Sequence, residues 1–227
     1  MPKNKLKHFA ENVTFPNFLQ PEIDDVINGF YLKGKWNRGF FKNNNPVILE
    51  LGCGKGEYTV SFARKHPDKN FIGIDRKGAR MWRGAKTAVD EDLRNIAFLK
   101  TQIELTGNCF GKNEVSEIWL TFPDPQPKKK KERKRLTSPH FLEIYYRFLI
   151  PGSIIHLKTD NTGLYNYTLK IIEEYKHELI FQTKDLYNSG YEGDVMETQT
   201  YYEKKFLNEG QKINYLQFRL NDLIHEA

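Results

Sequence analysis

Three carboxylates stand where their neighbours give them chemical work. Glu50 lies in the apolar run Val47 to Leu51, two residues before the first glycine of the loop Gly52-Cys53-Gly54-Lys55-Gly56. Asp75 closes a second apolar run, Phe71 to Ile74. Asp124 is set among Pro123, Pro125 and Pro127, and residues 128 to 135, KKKKERKR, follow with seven cations and one acid. Acids around a glycine loop suit a polar, positively charged small molecule. A polybasic run beside them suits a phosphate-bearing partner.

The glycine spacing narrows the first choice. Dinucleotide folds favour G-x-G-x-x-G, with a helix N-terminus facing a pyrophosphate. This chain has G-x-G-x-G behind a glutamate. A carboxylate there would repel a pyrophosphate and attract a sulfonium or an ammonium, as in S-adenosyl-L-methionine. Asp75 at the end of the next strand is placed to accept hydrogen bonds from ribose hydroxyls. A tight turn without any ligand also fits three glycines; Glu50 and Asp75 in this spacing weigh against it.

The elements that must hold these residues follow from periodicity. Strands are expected at 46 to 51, 70 to 75, 96 to 100, 115 to 121 and 153 to 158, with helices at 56 to 66, 77 to 92, 138 to 149 and 162 to 176. Such alternation predicts a mostly parallel sheet covered on both faces. Pro151-Gly152 reads as a turn before the fifth strand. Two late strands, 177 to 186 and 212 to 220, with a helix between them, predict an antiparallel C-terminal addition. The expected fold is one α/β, Rossmann-like domain with a seven-stranded sheet over 46 to 227. Residues 1 to 45 read as an extended arm on that core, with one short helix at 22 to 31 and a possible role in contacting RNA. The tyrosines at 145, 146, 165 and 167, with Trp119 and His156, read as packing residues.

A chain of 227 residues with 39% hydrophobic and 28% charged content is expected to be soluble and globular. No apolar segment approaches the ~20 residues that span a bilayer, and the lysine-bearing N-terminus has no apolar stretch behind it. A cytoplasmic protein with two reduced cysteines, Cys53 and Cys109, is expected. The histidines show no metal-ligand spacing, so no metal is expected. The net charge of +6 is concentrated at 128 to 135.

The loop at 122 to 135 leaves the carboxyl end of a predicted strand, where open α/β sheets place their ligands. Proline restricts both its own φ and the residue before it, so Asp124 has few conformations to lose. The cations behind it can hold nucleic-acid phosphates, Arg133 and Arg135 in bidentate fashion and the lysines as point charges.

ELGCGKGEYT, FIGID, FPDPQPKKKKERKRL, HLKTDN (156 to 161) and TYYEKKF (200 to 206) resemble the bacterial tRNA (guanine-N7)-methyltransferases. The similarity runs from about Pro46 to about Phe206, and the proline-aspartate loop with its basic tail is its most specific part. The resemblance implies a class I methyltransferase that moves a methyl group from S-adenosyl-L-methionine to N7 of a guanine in the tRNA variable loop. It implies cofactor contacts from Glu50, Gly52, Gly54, Gly56 and Asp75, and an active-site carboxylate, Asp124, at the cofactor's edge. It further implies that Lys128, Asp160, Thr200, Tyr201, Tyr202 and Glu203 meet the substrate. RNA contacts would come from Lys130, Lys131, Arg133, Lys134 and Arg135. The family often has an aspartate after the third strand, near the adenine; Gln102 stands there, with Glu104 as the other candidate. A monomer or homodimer is expected. Two rival readings are a nicotinamide-dependent oxidoreductase and an RNA-binding protein of this fold without activity.

Overall fold

Val47–Leu51 forms strand β2, and all five of its residues are buried. β-Branched and long apolar side chains without alternation mark a strand covered on both faces. Its neighbours follow the same rule. The computed structural model describes residues 2–221. The preceding elements are α1 (Pro2–Asn12), β1 (Phe18–Leu19) and α2 (Ile23–Gly29). After β2 come α3 (Glu57–Lys65), β3 (Asn70–Asp75), α4 (Gly78–Asp90), β4 (Ile96–Lys100), α5 (Thr106–Cys109) and β5 (Val115–Thr121). The chain continues through α6 (Pro139–Tyr146), β6 (Leu149–Thr159), α7 (Thr162–Glu174), β7 (Glu178–Thr183), α8 (Asp194–Glu197), α9 (Tyr201–Asn208) and β8 (Asn214–Arg219).

The strands form one sheet in the order β1-β4-β3-β2-β5-β6-β8-β7. All pairings are parallel except those of β8, which runs antiparallel to β6 and β7. The seven expected strands are present, and β1 adds an eighth at the edge, pairing Phe18 with Phe98 and Leu19 with Leu99. From β2 the chain moves outward to β3 and β4, then returns to lay β5 on the other side of β2. The order therefore reverses between β2 and β5, and the crevice at their carboxyl ends is the expected ligand position. Pro151-Gly152 is part of the long strand β6 rather than a turn before it. The β5–β6 register shifts between Val115 and Glu117 to absorb the extra residues.

Residues 2 to 45 carry more regular structure than an extended arm with one helix, namely α1, β1 and α2. Trp36 is fully buried, and its indole N–H donates to the Cys109 carbonyl at 3.0 Å. Val26, Phe30, Leu32 and Phe41 belong to the same core cluster as β2. Helix α1 lies on α4. Asn12 donates to the Gly78 carbonyl at 2.9 Å, Trp82 donates to Glu11 at 2.6 Å, and the His8 ring stacks on Trp82 at 3.9 Å. The α1 sequence has too few apolar residues to announce a helix; contacts some 70 residues away in the chain support it. The stack of His156 on Trp119, at 3.8 Å, confirms a packing role for both. Among the described residues no helix is long and apolar enough to cross a membrane.

Candidate active site

The glycine loop leaves β2 at the switch point. Gly52, Gly54 and Gly56 have φ of 82°, 56° and 72°, a region that favours glycine. Gly56 also has no room for a side chain, because a Cβ there would come within 2.5 Å of the Phe98 ring. At Gly52 the reverse holds: nothing lies within 4 Å of the position its Cβ would take. One end of the loop is packed, and the other faces open space.

That space is a pocket of about 400 Å³ lined by Glu50, Gly52, Gly54, Thr121, Asp124 and Asp160, among others. Its size is in the range of small-molecule sites. Thr200, Tyr202 and Arg80 also reach it. β2 carries Glu50, β5 ends at Thr121 and β6 leads into Asp160, so the pocket gathers residues from a span of more than a hundred positions.

Glu50 is buried. One carboxylate oxygen accepts from the Thr59 backbone and hydroxyl, the other from the Thr121 hydroxyl at 2.7 Å. Burial pushes its pKa up to about 7, and the threonine hydrogen bonds oppose that rise only partly. A cation in the pocket would restore the ionised form. Asp75 borders the loop rather than the pocket itself: its two oxygens accept from the Gly54 N–H at 3.1 Å and the Lys77 N–H at 2.8 Å. Each oxygen keeps a lone pair for another donor. Cys53 is buried in the loop, and burial raises its thiol pKa well above the ordinary value.

Asp124 stands on a constrained turn. Phe122 and Gln126 have φ of 50° and 44°, rare for residues with side chains. Such backbone strain clusters at functional sites. The Asp124 carboxylate accepts from the Gln126 N–H at 3.1 Å with one oxygen, and the pocket lies in front of it. Asp160 directly follows β6 and also lines the pocket, and burial raises its pKa.

The substrate residues implied by resemblance separate into two groups. Tyr201 and Tyr202 are 61% and 54% exposed, and Thr200 caps α9 by accepting from the Glu203 N–H at 3.1 Å. Glu203, expected at the substrate, is instead fully buried. Its carboxylate pairs with buried Lys158 at 2.5 Å and accepts from the Tyr58 and Tyr187 hydroxyls at 3.1 and 2.6 Å. Lys158 also donates to the Val195 carbonyl at 2.8 Å. This cluster fastens the segment before α9 to the end of β6. Gln102 is exposed beyond β4 and does not line the pocket.

The basic run is a short 3₁₀ helix over Lys129–Lys134, with none of its residues buried. Lys128, Lys130, Lys131, Arg133 and Lys134 are exposed beside the proline loop. Arg135 is different. Its guanidinium donates to the Pro125 and Gln126 carbonyls at 3.3 Å and lies 4.2 Å from the Tyr167 ring centroid. The fork expected on phosphate is occupied by the loop that carries Asp124.

A family model described as a putative methyltransferase matches residues 44–216. The tRNA (guanine-N(7)-)-methyltransferase of Christiangramia forsetii is 52% identical over 220 residues, covering 96% of this chain and 98% of that protein. This chain belongs to the tRNA (guanine-N7)-methyltransferase family. A more distant relative of the same description, from Clostridium novyi, is 41% identical over 82% of the chain and 85% of its own length. The fold extends further: the crystal structure of the 16S rRNA methyltransferase KamB superposes with a TM-score of 0.62 at 15% identity, covering 81% of this chain and 92% of that one.

Family membership makes the split within the basic run testable. Arg135→Lys keeps the charge but removes the fork that spans two carbonyls. Turnover is expected to fall about tenfold, as when a support of a preorganised group is loosened, with an unchanged salt slope for tRNA binding. Arg133→Gln is expected to do the reverse, reducing the salt slope by about one while turnover at saturating tRNA holds. Filter binding across a salt series and steady-state kinetics separate the two. Sequence reasoning gave no site role to Thr59, Thr121, Lys158 or Arg80. Thr59 and Lys158 lie within the quoted motifs ELGCGKGEYT and HLKTDN and Thr121 immediately precedes the proline loop, whereas nothing marked Arg80.

Proposed function

We propose that this protein methylates N7 of a guanine in the variable loop of tRNA, with S-adenosyl-L-methionine as donor. The observation that carries the reading is a single pocket in which Glu50 and the glycine loop face Asp124 and Asp160. The residues fit the donor: a buried carboxylate for its cationic end, an open glycine edge for close approach, and Asp75 beside the loop for ribose hydroxyls. When bound, the donor supplies an electrophilic methyl on a sulfonium. Guanine N7 carries a lone pair and no proton, so no residue of the pocket would need to act as a base before attack on that methyl. Positive charge passes to the purine ring. Asp124 and Asp160 at the pocket wall stabilise that charge, and their oxygens can accept from guanine N1–H and the 2-amino group. Adenine lacks both donors, and a site built for them rejects it strongly. The exposed cations at 128 to 134 hold the RNA over the pocket.

Methyl transfer to unmodified tRNA, with the product nucleoside identified by mass spectrometry, tests the reading. 7-Methylguanosine is the expected product; another methylated nucleoside, or none, contradicts it. Glu50 gives a second expectation. Below about pH 7 its carboxylate is protonated in the unliganded protein. Donor affinity should then rise with pH, by up to about tenfold per unit, and level off above that value. Glu50→Gln should flatten the profile in calorimetric titrations. A wild-type profile that is already flat would remove the carboxylate from donor recognition.

A further inference from the structure

Several cations of this protein have a carboxylate partner. Arg64 pairs with Glu91, Lys86 with Asp90, Arg147 with Glu143, Lys212 with Asp185 and Arg219 with Glu178. Beside the glycine loop, as along the polybasic helix, the cations stand without one among the described residues. Lys55, Arg80, Arg83 and Lys204 are exposed, and among the described residues none of them is ion-paired.

The four line two adjoining hollows. Arg80 and Arg83 are three residues apart on α4 and so share a face. Arg80 lines the pocket described above. Arg83 lines a second groove of about 450 Å³ between α3, α4 and the segment leading into α9. Lys55 and Glu57 line both hollows, so the two are continuous. Lys204 closes the far side, with the hydroxyl residues Ser61 and Thr87 on the walls. Of the two acids on the groove, Glu197 is paired with Lys65, while Glu57 keeps its charge and accepts from the Tyr201 N–H at 3.4 Å; the unpaired cations Lys55, Arg83 and Lys204 still outnumber it. Tyr201 and Tyr202 are more than half exposed; Tyr202 lines the first pocket, and the Lys55 ammonium, which borders both hollows, lies 5.2 Å from the Tyr201 ring centroid.

Cations spaced along a groove, with exposed aromatic faces at its entrance, are the chemistry that binds unpaired nucleotides: phosphates on the cations, bases on the rings. The groove lies across the glycine loop from the polybasic helix. α4 follows β3 and residues 122 to 135 follow β5, and β2 separates those strands. We propose that the α3–α4 groove is a second RNA-backbone site, holding phosphates of unpaired nucleotides next to the methylated guanine. Lys55, Arg83 and Lys204 make the contacts, and the RNA is gripped on both sides of the pocket. One grip leaves the strand free to pivot about it; two fix the direction in which the base enters.

This inference rests on tRNA being the substrate, so binding rather than turnover tests it. Dissociation constants for unmodified tRNA are measured across a salt series with wild-type protein, Arg83→Gln and Lys204→Gln. Lys86→Gln serves as control, because that lysine is on α4 but paired with Asp90. Each groove variant should weaken binding several-fold and reduce the salt slope by about one. S-adenosylhomocysteine affinity should be unchanged and the control should match wild type. Slopes of both groove variants equal to wild type would overturn the proposal. So would a loss of S-adenosylhomocysteine affinity with the slope intact, which would assign the groove to the donor. Reduced slopes in a protein that makes no 7-methylguanosine would uphold the groove and reject the reaction instead.

Discussion

Asp124→Asn is expected to reduce methyl transfer by about 10²- to 10³-fold, the scale for losing one preorganised electrostatic group at a reacting centre. Asparagine matches the aspartate in shape and can still accept from the Gln126 N–H, the bond that orients the side chain at 3.1 Å. The turn, with its two positive-φ residues and the Arg135 brace, should therefore persist. What is lost is the negative charge at the pocket wall. That charge acts mainly in the transition state, when the purine ring becomes cationic, so tRNA affinity should change by less than a few-fold. Single-turnover rates and equilibrium binding on the same preparation check both halves. A parallel loss of rate and binding would make Asp124 a docking residue rather than a catalytic one.

Lys158→Met is expected to cost about 3–5 kcal/mol of stability, the usual result of leaving a buried charge unpaired. Lys158 and Glu203 are both fully buried, and the pair is linked to Tyr58, Tyr187 and the Val195 carbonyl. Burial lowers the lysine pKa, and the Glu203 carboxylate opposes that shift. For a chain of this size the melting temperature should drop by roughly 10 °C. Removing both partners, as Lys158→Met with Glu203→Leu, should restore part of the loss, because no lone charge remains. The effect should also reach the site. Thr200 and Tyr202 line the pocket from a segment that this pair anchors, so KM for tRNA should rise in the single variant at temperatures where the fold is intact. Thermal denaturation and steady-state kinetics measure the two consequences. A single variant that melts with wild type would show that water reaches the cluster and screens it.

The polar layout around Glu50 was open to sequence reasoning because its parts are local. A strand, three glycines and a helix start within about ten residues of one another, and their φ requirements and charge can be read from residue type alone. The same holds for Asp75 at a strand end and for Asp124 between prolines. The mostly parallel sheet with its antiparallel C-terminal strand was legible too, from strands alternating with helices, although the strand order came only from the structure.

Other assignments depend on partners distant in the chain. Glu203 sits in a polar, exposed-looking helix start; its burial follows from Tyr58, 145 residues earlier, and from Lys158. Arg135 is one of seven cations in a run and is distinguished only by Tyr167 and two carbonyls of the preceding loop. The first 45 residues show weak periodicity, yet Trp36 enters the core and α1 rests on α4. By itself, then, the sequence determined the sheet, the glycine loop and the carboxylates at the strand ends, because backbone geometry and hydrophobic periodicity act over short separations. Tertiary structure alone decided which charged side chains face the pocket and which turn inward as supports. A charge's environment is set by whatever packs against it, and those neighbours come from elsewhere in the chain.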